Sequence, residues 1–339
     1  MKQGLTMQTM ENKQTLRVRV SEASIAATGV RMLRLVAQGP DQQLPDFSPG
    51  AHIGVSVQLE GAKKDWRQYS LIELSHRTGA DIRPEAYLIA VRLDEKGRGG
   101  SRYMHEGLNV GDIIEITPPR NDFPMRNSGG RAFLIAGGIG VTPLVTMAAT
   151  CRFHEREVKM VYAGRDRSSM AFIDELHVLL GDRLVVHADM EIGAPMDIKR
   201  LFDQFNSDDD IHICGPTPLL DAMIAEAGRR GWARDRLNFE LFAPATGAEG
   251  DTEFDVILAS SERKLRIPVG KSILDVLIEE GCDPMFDCKR GECGVCSTAV
   301  ISGEIDHRDY VLTERERAAN NVMYPCVSRS KSAVLVLDL

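Results

Sequence analysis

Four cysteines near the C-terminal end most constrain what this chain can fold into. Cys288, Cys293 and Cys296 are spaced C-x4-C-x2-C, and Cys326 supplies a fourth thiol further along the chain. A 2Fe–2S cluster takes four cysteine thiolates, and the short loop that carries the first three can wrap closely around a small inorganic centre. Structural zinc usually binds two C-x2-C pairs, and free thiols are the other alternative. The spacing therefore predicts a 2Fe–2S cluster held by these four residues.

The glycines of the cysteine loop and the other three cysteines have separate predicted roles. Gly291 and Gly294 are expected to adopt φ values that other residues resist, with nearby amide N–H groups pointing at the sulfur atoms. Cys151, Cys214 and Cys282 fit no ligand position and are predicted to be inert thiols. An odd total of seven cysteines is unlike a disulfide framework.

Composition excludes several classes of protein. The chain has 339 residues, of which 43% are hydrophobic and 27% are charged, as expected for a globular protein of several domains. A net charge of -8 argues against nucleic acid as the main partner. The first twenty residues lack the apolar core of a secretory signal, and the uncharged stretch 132–150 is interrupted by glycines and a proline. We therefore expect a cytoplasmic protein without a membrane span.

The apolar pattern changes twice along the chain. Short strands separated by turn residues fill residues 15 to about 120 and predict an antiparallel barrel. Strands then alternate with helices near 142–152, 170–180, 196–205 and 217–230, which indicates a doubly wound α/β domain. A strand pair and a helix capped by Ser272 and ended by Gly281 open the last segment. The predicted barrel domain covers residues 1–125, with a leader at 1–14, and the predicted α/β domain covers residues 126–243. A linker at 244–252 leads to the last domain, residues 253–339.

Two glycine-containing turns in the α/β segment predict a ligand crevice. GGIGVTP, residues 137–143, follows one strand and opens a helix, and CGPTP, residues 214–218, repeats this arrangement. A helix N-terminus presents free N–H groups to a pyrophosphate, and ligands of doubly wound sheets bind at the carboxyl ends of the strands. For GGIGVTP, a tight turn of purely structural origin remains the alternative.

The barrel segment carries two further motifs. In RQYS, residues 67–70, an arginine, an aromatic ring and a hydroxyl stand close together, which suits a phosphate and a planar ring. The glycines of GRGGS, residues 97–101, suit a nest of amide groups around an anion. The alternative is that both motifs are ordinary strand and loop residues that bind no ligand.

Taken in order, these motifs resemble those of the phthalate dioxygenase reductase family and of relatives such as vanillate demethylase reductases. The resemblance runs from about residue 15 to residue 339, and PRNDFP, FELF, DHRD and the ending CVSRSKSAVLVLDL also carry it. It implies a reductase component of a Rieske-type oxygenase that uses NADH, FMN and a 2Fe–2S cluster. The implied fold is multidomain, with an antiparallel β-barrel for the flavin, a doubly wound α/β nucleotide domain, and a β-grasp ferredoxin domain of the plant type.

The resemblance also implies residue roles. Arg67 would bind the flavin phosphate, Tyr69 would pack on the isoalloxazine, and Ser70 would lie near its reactive edge. Thr142 would lie near both flavin and nicotinamide, and Phe242 would cover the flavin face; with Ser70 these two form the implied catalytic set. The other implied contacts are the flavin wall Ala90, Val91 and Arg92, the phosphate loop Gly99, Gly100 and Ser101, and the nucleotide turns with Gly138, Gly140, Cys214, Gly215 and Pro216.

Electron counting explains why three cofactors would share one chain. Nicotinamide gives up a hydride, a 2Fe–2S cluster accepts one electron, and a flavin can do both. A reductase for a haem monooxygenase and a redox sensor that never oxidises NADH are the alternatives. Arg165 and Arg167 follow the second strand of the α/β segment, where they would suit a 2′-phosphate, so the preference for NADH rests on the resemblance. A monomer is expected, and His307 is predicted to be structural.

Overall fold

A computed structural model describes residues 15–39, 42–59, 61, 64–74, 84–242 and 250–339. The predicted leader at 1–14, most of the insertion-like stretch 75–86 and most of the predicted linker lie outside this part of the chain. The chain forms two compact units, which divide between Glu240 and Leu241. The finer domain boundaries stay predictions.

The first unit begins with a six-stranded antiparallel barrel. Its elements are β1 (Leu16–Ala27), β2 (Val30–Ala37), β3 (His52–Gln58), β4 (Lys64–Ser70), β5 (Ala86–Arg92), the short helix α1 (Gly100–Arg102), a π-helical turn (Tyr103–Gly107) and β6 (Ile113–Ile116). The strand order is β4-β3-β6-β1-β2-β5, and a bridge between Ile72 and Leu88 joins the two ends of the sheet. Alternate residues point inward, so Leu33, Ile53 and Ile89 are fully buried, as the period-two pattern predicts.

The second part of this unit is a five-stranded parallel sheet with helices. Its elements are β7 (Ala132–Gly137), α2 (Val141–Phe153), β8 (Val158–Gly164), α3 (Ile173–Leu180), β9 (Leu184–Ala188), α4 (Asp189–Ile192), α5 (Ile198–Phe202), β10 (Asp210–Cys214), α6 (Thr217–Arg229) and β11 (Leu237–Glu240). The order β11-β10-β7-β8-β9 places the topological switch point between β7 and β10. Helix α5 is shorter than predicted because the Asp197 carboxylate accepts the Arg200 N–H at 3.1 Å and caps its start.

The barrel interior forms a hydrophobic cluster of its own, and several residues of the barrel segment join the core of the parallel sheet. Ile72, Ala90 and Phe123 of the barrel segment pack in the same cluster as Leu144 of α2. Thr146, also on α2, donates its hydroxyl to the Leu71 carbonyl at 3.0 Å and accepts the Glu73 N–H at 2.9 Å. This helix is therefore fixed to the chain that leaves β4.

The second unit is a mixed sheet with one main helix. Its elements are β12 (Phe254–Leu258), β13 (Lys264–Ile267), α7 (Ile273–Glu279), β14 (Thr298–Ser302), β15 (Ile305–Asp306), α8 (Glu314–Ala319), β16 (Val322–Met323), β17 (Arg329–Ser330) and β18 (Val334–Leu337). The main sheet has the order β13-β12-β18-β14-β16. The predicted cap is confirmed, since the Ser272 hydroxyl accepts the Asp275 N–H at 3.0 Å and Gly281 follows the helix at φ 73°.

The predicted fold class is confirmed by these three arrangements. The apolar stretch 132–150 forms strand β7, a glycine turn and most of helix α2, as predicted. Within the described residues, no helix combines the length and the apolar character needed to cross a membrane.

Candidate flavin, nucleotide and iron–sulfur sites

Strand β4 places the predicted flavin residues on one edge of the barrel. Arg67 and Tyr69 lie two residues apart and therefore share a face of the strand. In the register with β3, Tyr69 stands opposite Ile53 and Ser70 opposite His52. Burial raises the pKa of the Tyr69 phenol, so this ring stays neutral and keeps its hydroxyl proton.

Arg67 is prepared to bind an anion. Its Nη1 atom donates to Asp65 Oδ2 at 2.5 Å and to the Trp66 carbonyl at 2.9 Å. Its Nη2 atom is buried and has no hydrogen-bond partner among the described residues. A buried donor without a partner is costly, and a phosphate oxygen is the acceptor that a guanidinium binds best. The site therefore fits the phosphate of a flavin mononucleotide.

The predicted phosphate loop lies directly beside this guanidinium. A Cβ atom on Gly100 would come within 2.6 Å of Arg67 Nε, so any other residue there would force the guanidinium to move. Gly99 precedes α1 with φ 87°, a conformation that glycine adopts readily. The Ser101 hydroxyl accepts the Asp94 N–H at 3.0 Å, which closes the loop on itself. Arg67 and residues 99–101 are thus brought together, as the resemblance implied.

Strand β5 forms the neighbouring wall. Ala90 and Val91 are buried, whereas Arg92 at the strand end is exposed. The glycine turn at Gly138–Gly140 lies against this strand. The structure thus places the predicted flavin wall next to the predicted nucleotide turn.

The two glycine turns pack backbone against backbone at the switch point. A Cβ atom on Gly140 would lie 2.2 Å from the Cys214 carbonyl oxygen, and one on Gly137 would lie 3.1 Å from Gly215 Cα. Part of the glycine requirement is therefore structural. Gly138 differs, because it has φ 53° and its Cβ position meets no atom within 4 Å. Its open side is where a ligand can approach the turn.

Substituting Gly140 with alanine is expected to destabilise the first unit. The added methyl would collide with the backbone at Cys214, and overpacking of this kind costs about 2 kcal/mol in the free energy of unfolding. Denaturant unfolding would measure this loss. Gly228→Ala is the matched control, because Gly228 lies in α6 and its Cβ position is open. Equal stability of the two variants would contradict the packing argument.

The remaining predicted residues of the nucleotide site lie in both compact units, and Thr142, Cys214 and Pro216 follow the strands of the parallel sheet. The Thr142 side chain is buried, and its hydroxyl donates to the Ile139 carbonyl at 3.1 Å. Cys214 is fully buried at the end of β10, and Pro216 precedes α6 as its N-cap. Phe242 belongs to the second unit and is 39% exposed. The catalytic roles of Ser70, Thr142 and Phe242 stay predictions.

The four predicted ligand thiols occur as two pairs. Cys288 is hydrogen-bonded to Cys293, and Cys296 is hydrogen-bonded to Cys326. In a 2Fe–2S cluster each iron takes two protein thiolates and two bridging sulfides, so the protein supplies two pairs. Among the described residues, no three His, Cys, Asp or Glu side chains converge as they would on a single metal ion. The arrangement fits a 2Fe–2S cluster better than one tetrahedral zinc.

Backbone amides point at these sulfur atoms. The Arg290 N–H donates to Cys288 Sγ at 3.3 Å, and the Gly291 amide donates to the Cys326 thiol. Gly291 and Gly294 have φ 77° and 75°, which confirms the conformation predicted for them. A Cβ atom on Gly291 would also lie 2.7 Å from the Val327 side chain. The glycines therefore let the loop close around its thiols.

The thiols differ in acidity and exposure. The hydrogen bond from Cys326 lowers the pKa of Cys296 to about 7, and the same contact raises the pKa of Cys326. A lowered pKa favours the thiolate form, which is the form that binds iron. Cys288, Cys296 and Cys326 are buried, but Cys293 is exposed. Among the four predicted ligands, Cys293 therefore lies at the protein surface.

Comparisons with known proteins agree with these sites. Residues 256–331 match the 2Fe-2S iron-sulfur cluster binding domain. The chain is 35% identical to the toluene-4-sulfonate monooxygenase system reductase subunit of Comamonas testosteroni, over 95% of this chain and 99% of that protein. The solved structure of phthalate dioxygenase reductase is 34% identical, covers 96% of this chain and 98% of its own, and superposes with a TM-score of 0.72. This chain belongs to the phthalate dioxygenase reductase family.

The solved structure of a type IV self-sufficient cytochrome P450 monooxygenase is also similar to this chain. It is 34% identical with a TM-score of 0.66 over 96% of this chain, which spans only 41% of that longer protein. Membership of the phthalate dioxygenase reductase family makes the chain an oxidoreductase with a 2Fe–2S domain.

Two residues that position the sites were not found from the sequence. Thr146 ties α2 to the end of β4, and in the sequence it is only one of three threonines in a mostly apolar helix. Asp309 lies beside the cysteine loop, where its carboxylate accepts the Val311 and Leu312 N–H groups at 3.0 and 2.8 Å. The DHRD motif was its signal in the sequence. The His307 imidazole of the same motif lies 3.7 Å from the Asp309 carboxylate.

Proposed function

We propose that this chain is the reductase component of a Rieske-type oxygenase system and delivers electrons from NADH to the oxygenase. The proposal is carried by two thiol pairs, one of which has an exposed member, Cys293, in a chain that also holds a buried Arg67 Nη2 atom without a partner among the described residues. The Nη2 atom suits an anion, and the thiol pairs suit a centre that exchanges single electrons. A flavin reductase with a ferredoxin module contains both.

Each group of residues has one task in this proposal. When bound, FMN accepts the hydride of NADH and the 2Fe–2S cluster passes electrons on one at a time. Arg67 and the loop at residues 99–101 hold the flavin phosphate, and Tyr69 lines the ring. Gly138 presents its open side to the nucleotide. The amides at residues 290 and 291 donate to sulfur, which stabilises the more negative reduced state.

The surface beside Cys293 suits a transient electron-transfer partner. Met285 is 63% exposed and Val295 is 41% exposed, close in sequence to the ligand that reaches the surface. Residues 251–339 hold sixteen acidic and eleven basic residues, a net charge of -5. A basic face on the oxygenase would be attracted to this unit. Charge that only maintains solubility is the alternative reading.

Raising the ionic strength is expected to slow electron delivery to the oxygenase. Between about 0.05 M and 0.5 M salt we expect roughly a tenfold decrease in the rate, because steering between opposite charges is screened. Stopped-flow oxidation of the pre-reduced protein by its oxygenase would measure it. Ferricyanide, which is itself an anion, is the control acceptor. The rate of its reduction should rise or stay constant as salt is added. A rate of electron delivery to the oxygenase that does not change with salt would contradict docking through opposite charges.

The function itself is tested by adding NADH to the purified protein without oxygen. The flavin absorption should bleach and the 2Fe–2S absorption should follow. A protein that is not bleached would instead be the non-enzymatic redox sensor. The relative with a P450 domain favours a second acceptor class, so reduction of a Rieske oxygenase is compared with reduction of a haem monooxygenase. Faster reduction of the haem protein would favour the second candidate.

We also propose that the protein is a monomer in the cytoplasm. A mobile electron carrier works well as a single chain. The cysteines, all within the described part of the chain, form no disulfide, which suits a reducing compartment.

A further inference from the structure

The segment after β8 contains an ion pair that the sites described above do not use. Arg167 donates from Nε to Glu191 Oε1 at 2.7 Å and from Nη2 to Glu191 Oε2 at 2.8 Å. Glu191 lies on α4, which directly follows β9, the neighbour of β8 in the sheet. Both side chains are nearly half exposed, so the pair faces solvent at the carboxyl edge of the parallel sheet.

This edge is where a doubly wound sheet meets the adenosine ribose. An acidic residue beyond the second strand binds the 2′-hydroxyl of NADH, whereas a nearby arginine accommodates the 2′-phosphate of NADPH. Here β7 is the first strand of the sheet and β8 the second, and β8 ends at Gly164. Arg165, Asp166 and Arg167 follow at once. Two arginines at this place would by themselves favour NADPH.

We propose that Glu191 determines nucleotide specificity by engaging Arg167 and thereby disfavouring a 2′-phosphate. The inference rests on the proposed function, because it concerns the nucleotide that the chain oxidises. A carboxylate bound through two parallel hydrogen bonds occupies the donors that a phosphate would need. The same carboxylate repels the doubly charged phosphate but tolerates a neutral hydroxyl.

Neighbouring contacts hold this arrangement in place. The Met190 N–H donates to the Arg165 carbonyl at 3.0 Å, which fixes α4 to the arginine segment. The Asp166 carboxylate accepts the Ser168 hydroxyl at 2.6 Å and the Ser168 N–H at 3.2 Å. Glu191 therefore stands on a helix that is hydrogen-bonded to the loop it controls.

The local charge balance agrees with the proposal. Asp166, Asp189 and Glu191 supply three negative charges, against the positive charges of Arg165 and Arg167. The hydrogen bonds from Arg167 lower the pKa of Glu191, so its carboxylate is charged at neutral pH. Arg165 is exposed, and its side chain forms no hydrogen bond or ion pair with another described residue. A 2′-phosphate would thus find one available arginine and a net negative surrounding.

Glu191→Gln tests the proposal because it removes the charge and keeps the size of the side chain. In the flavin-loaded protein, we expect the ratio of kcat/KM for NADPH to kcat/KM for NADH to rise about tenfold. We also expect 2′,5′-ADP to bind about tenfold more tightly in calorimetry, while 5′-ADP changes by less than about twofold. The calorimetric readout does not depend on flavin or iron.

Two variants sharpen the test. Asp182→Asn removes a negative charge from the turn that precedes β9, at the amino ends of the strands. It should leave the NADPH-to-NADH ratio of kcat/KM unchanged. Arg167→Ala added to Glu191→Gln should abolish the gain, because the released arginine supplies it. An unchanged ratio in Glu191→Gln, an equal rise in Asp182→Asn, or a gain that survives loss of Arg167 would each overturn the inference. Failure of NADH and NADPH alike to bleach the wild-type flavin would instead overturn the proposed function.

Discussion

Cys293→Ser is expected to remove the 2Fe–2S absorption while NADH still bleaches the flavin. Cys293 forms one of the two thiol pairs, and a serine hydroxyl is a poor substitute for a thiolate at neutral pH. Iron should fall from about two atoms per chain to less than about a tenth of that value. Electron delivery to the oxygenase should fall at least about a hundredfold, because single-electron transfer loses its carrier. Apart from Phe242, the predicted flavin residues belong to the other compact unit, so flavin reduction should persist.

The matched control is Cys282→Ser. Cys282 also lies in the second unit, but its nearest polar contact is the Arg263 guanidinium, with Nη1 3.8 Å from its sulfur. Iron content and electron delivery should therefore stay at the wild-type level. If Cys293→Ser also lost flavin reduction, the two sites would not be independent. If Cys282→Ser lost iron, the assignment of ligands from the C-x4-C-x2-C spacing would be wrong.

Much of the fold followed from local patterns in the sequence. The short antiparallel strands predicted between residue 15 and about residue 120 are present, and β2 begins directly after Gly29. The cap at Ser272 was also predictable, because a serine hydroxyl directly before an apolar helical run can accept a free N–H of the first turn. Helix α3 was predicted too long at its start. Met170 and Phe172 instead adopt non-helical conformations after a short turn that Asp166 caps.

Contacts between distant segments could not be predicted in this way. The packing of Gly140 on Cys214 joins residues more than seventy positions apart, and no local pattern carries such a contact. The pairing of Cys296 with Cys326 and the ion pair of Arg167 with Glu191 depend on sheet order in the same way. The spacing in the sequence predicted which thiols are ligands, but their arrangement as two pairs could be seen only in the fold.

Arg67→Ala is expected to weaken FMN binding by about thirtyfold, since a hydrogen bond from a charged donor to phosphate contributes about 2 kcal/mol. The expectation follows from the buried Nη2 atom, which has no partner among the described residues. Fluorescence titration of the flavin-free protein with FMN would measure the dissociation constant. Arg34→Ala is the matched control, because Arg34 lies on β2 with its guanidinium 3.6 Å from Glu22 and should not affect FMN.

Stability measurements separate a phosphate contact from a structural role at Arg67. In the flavin-free protein the unpartnered donor contributes a penalty, which partly offsets the hydrogen bonds to Asp65 and Trp66. Removing the side chain should therefore change the flavin-free melting temperature little. The stabilisation that added FMN provides should shrink, because a ligand stabilises the folded state in proportion to its affinity. Equal losses of melting temperature with and without FMN, together with an unchanged dissociation constant, would assign Arg67 to the barrel framework instead.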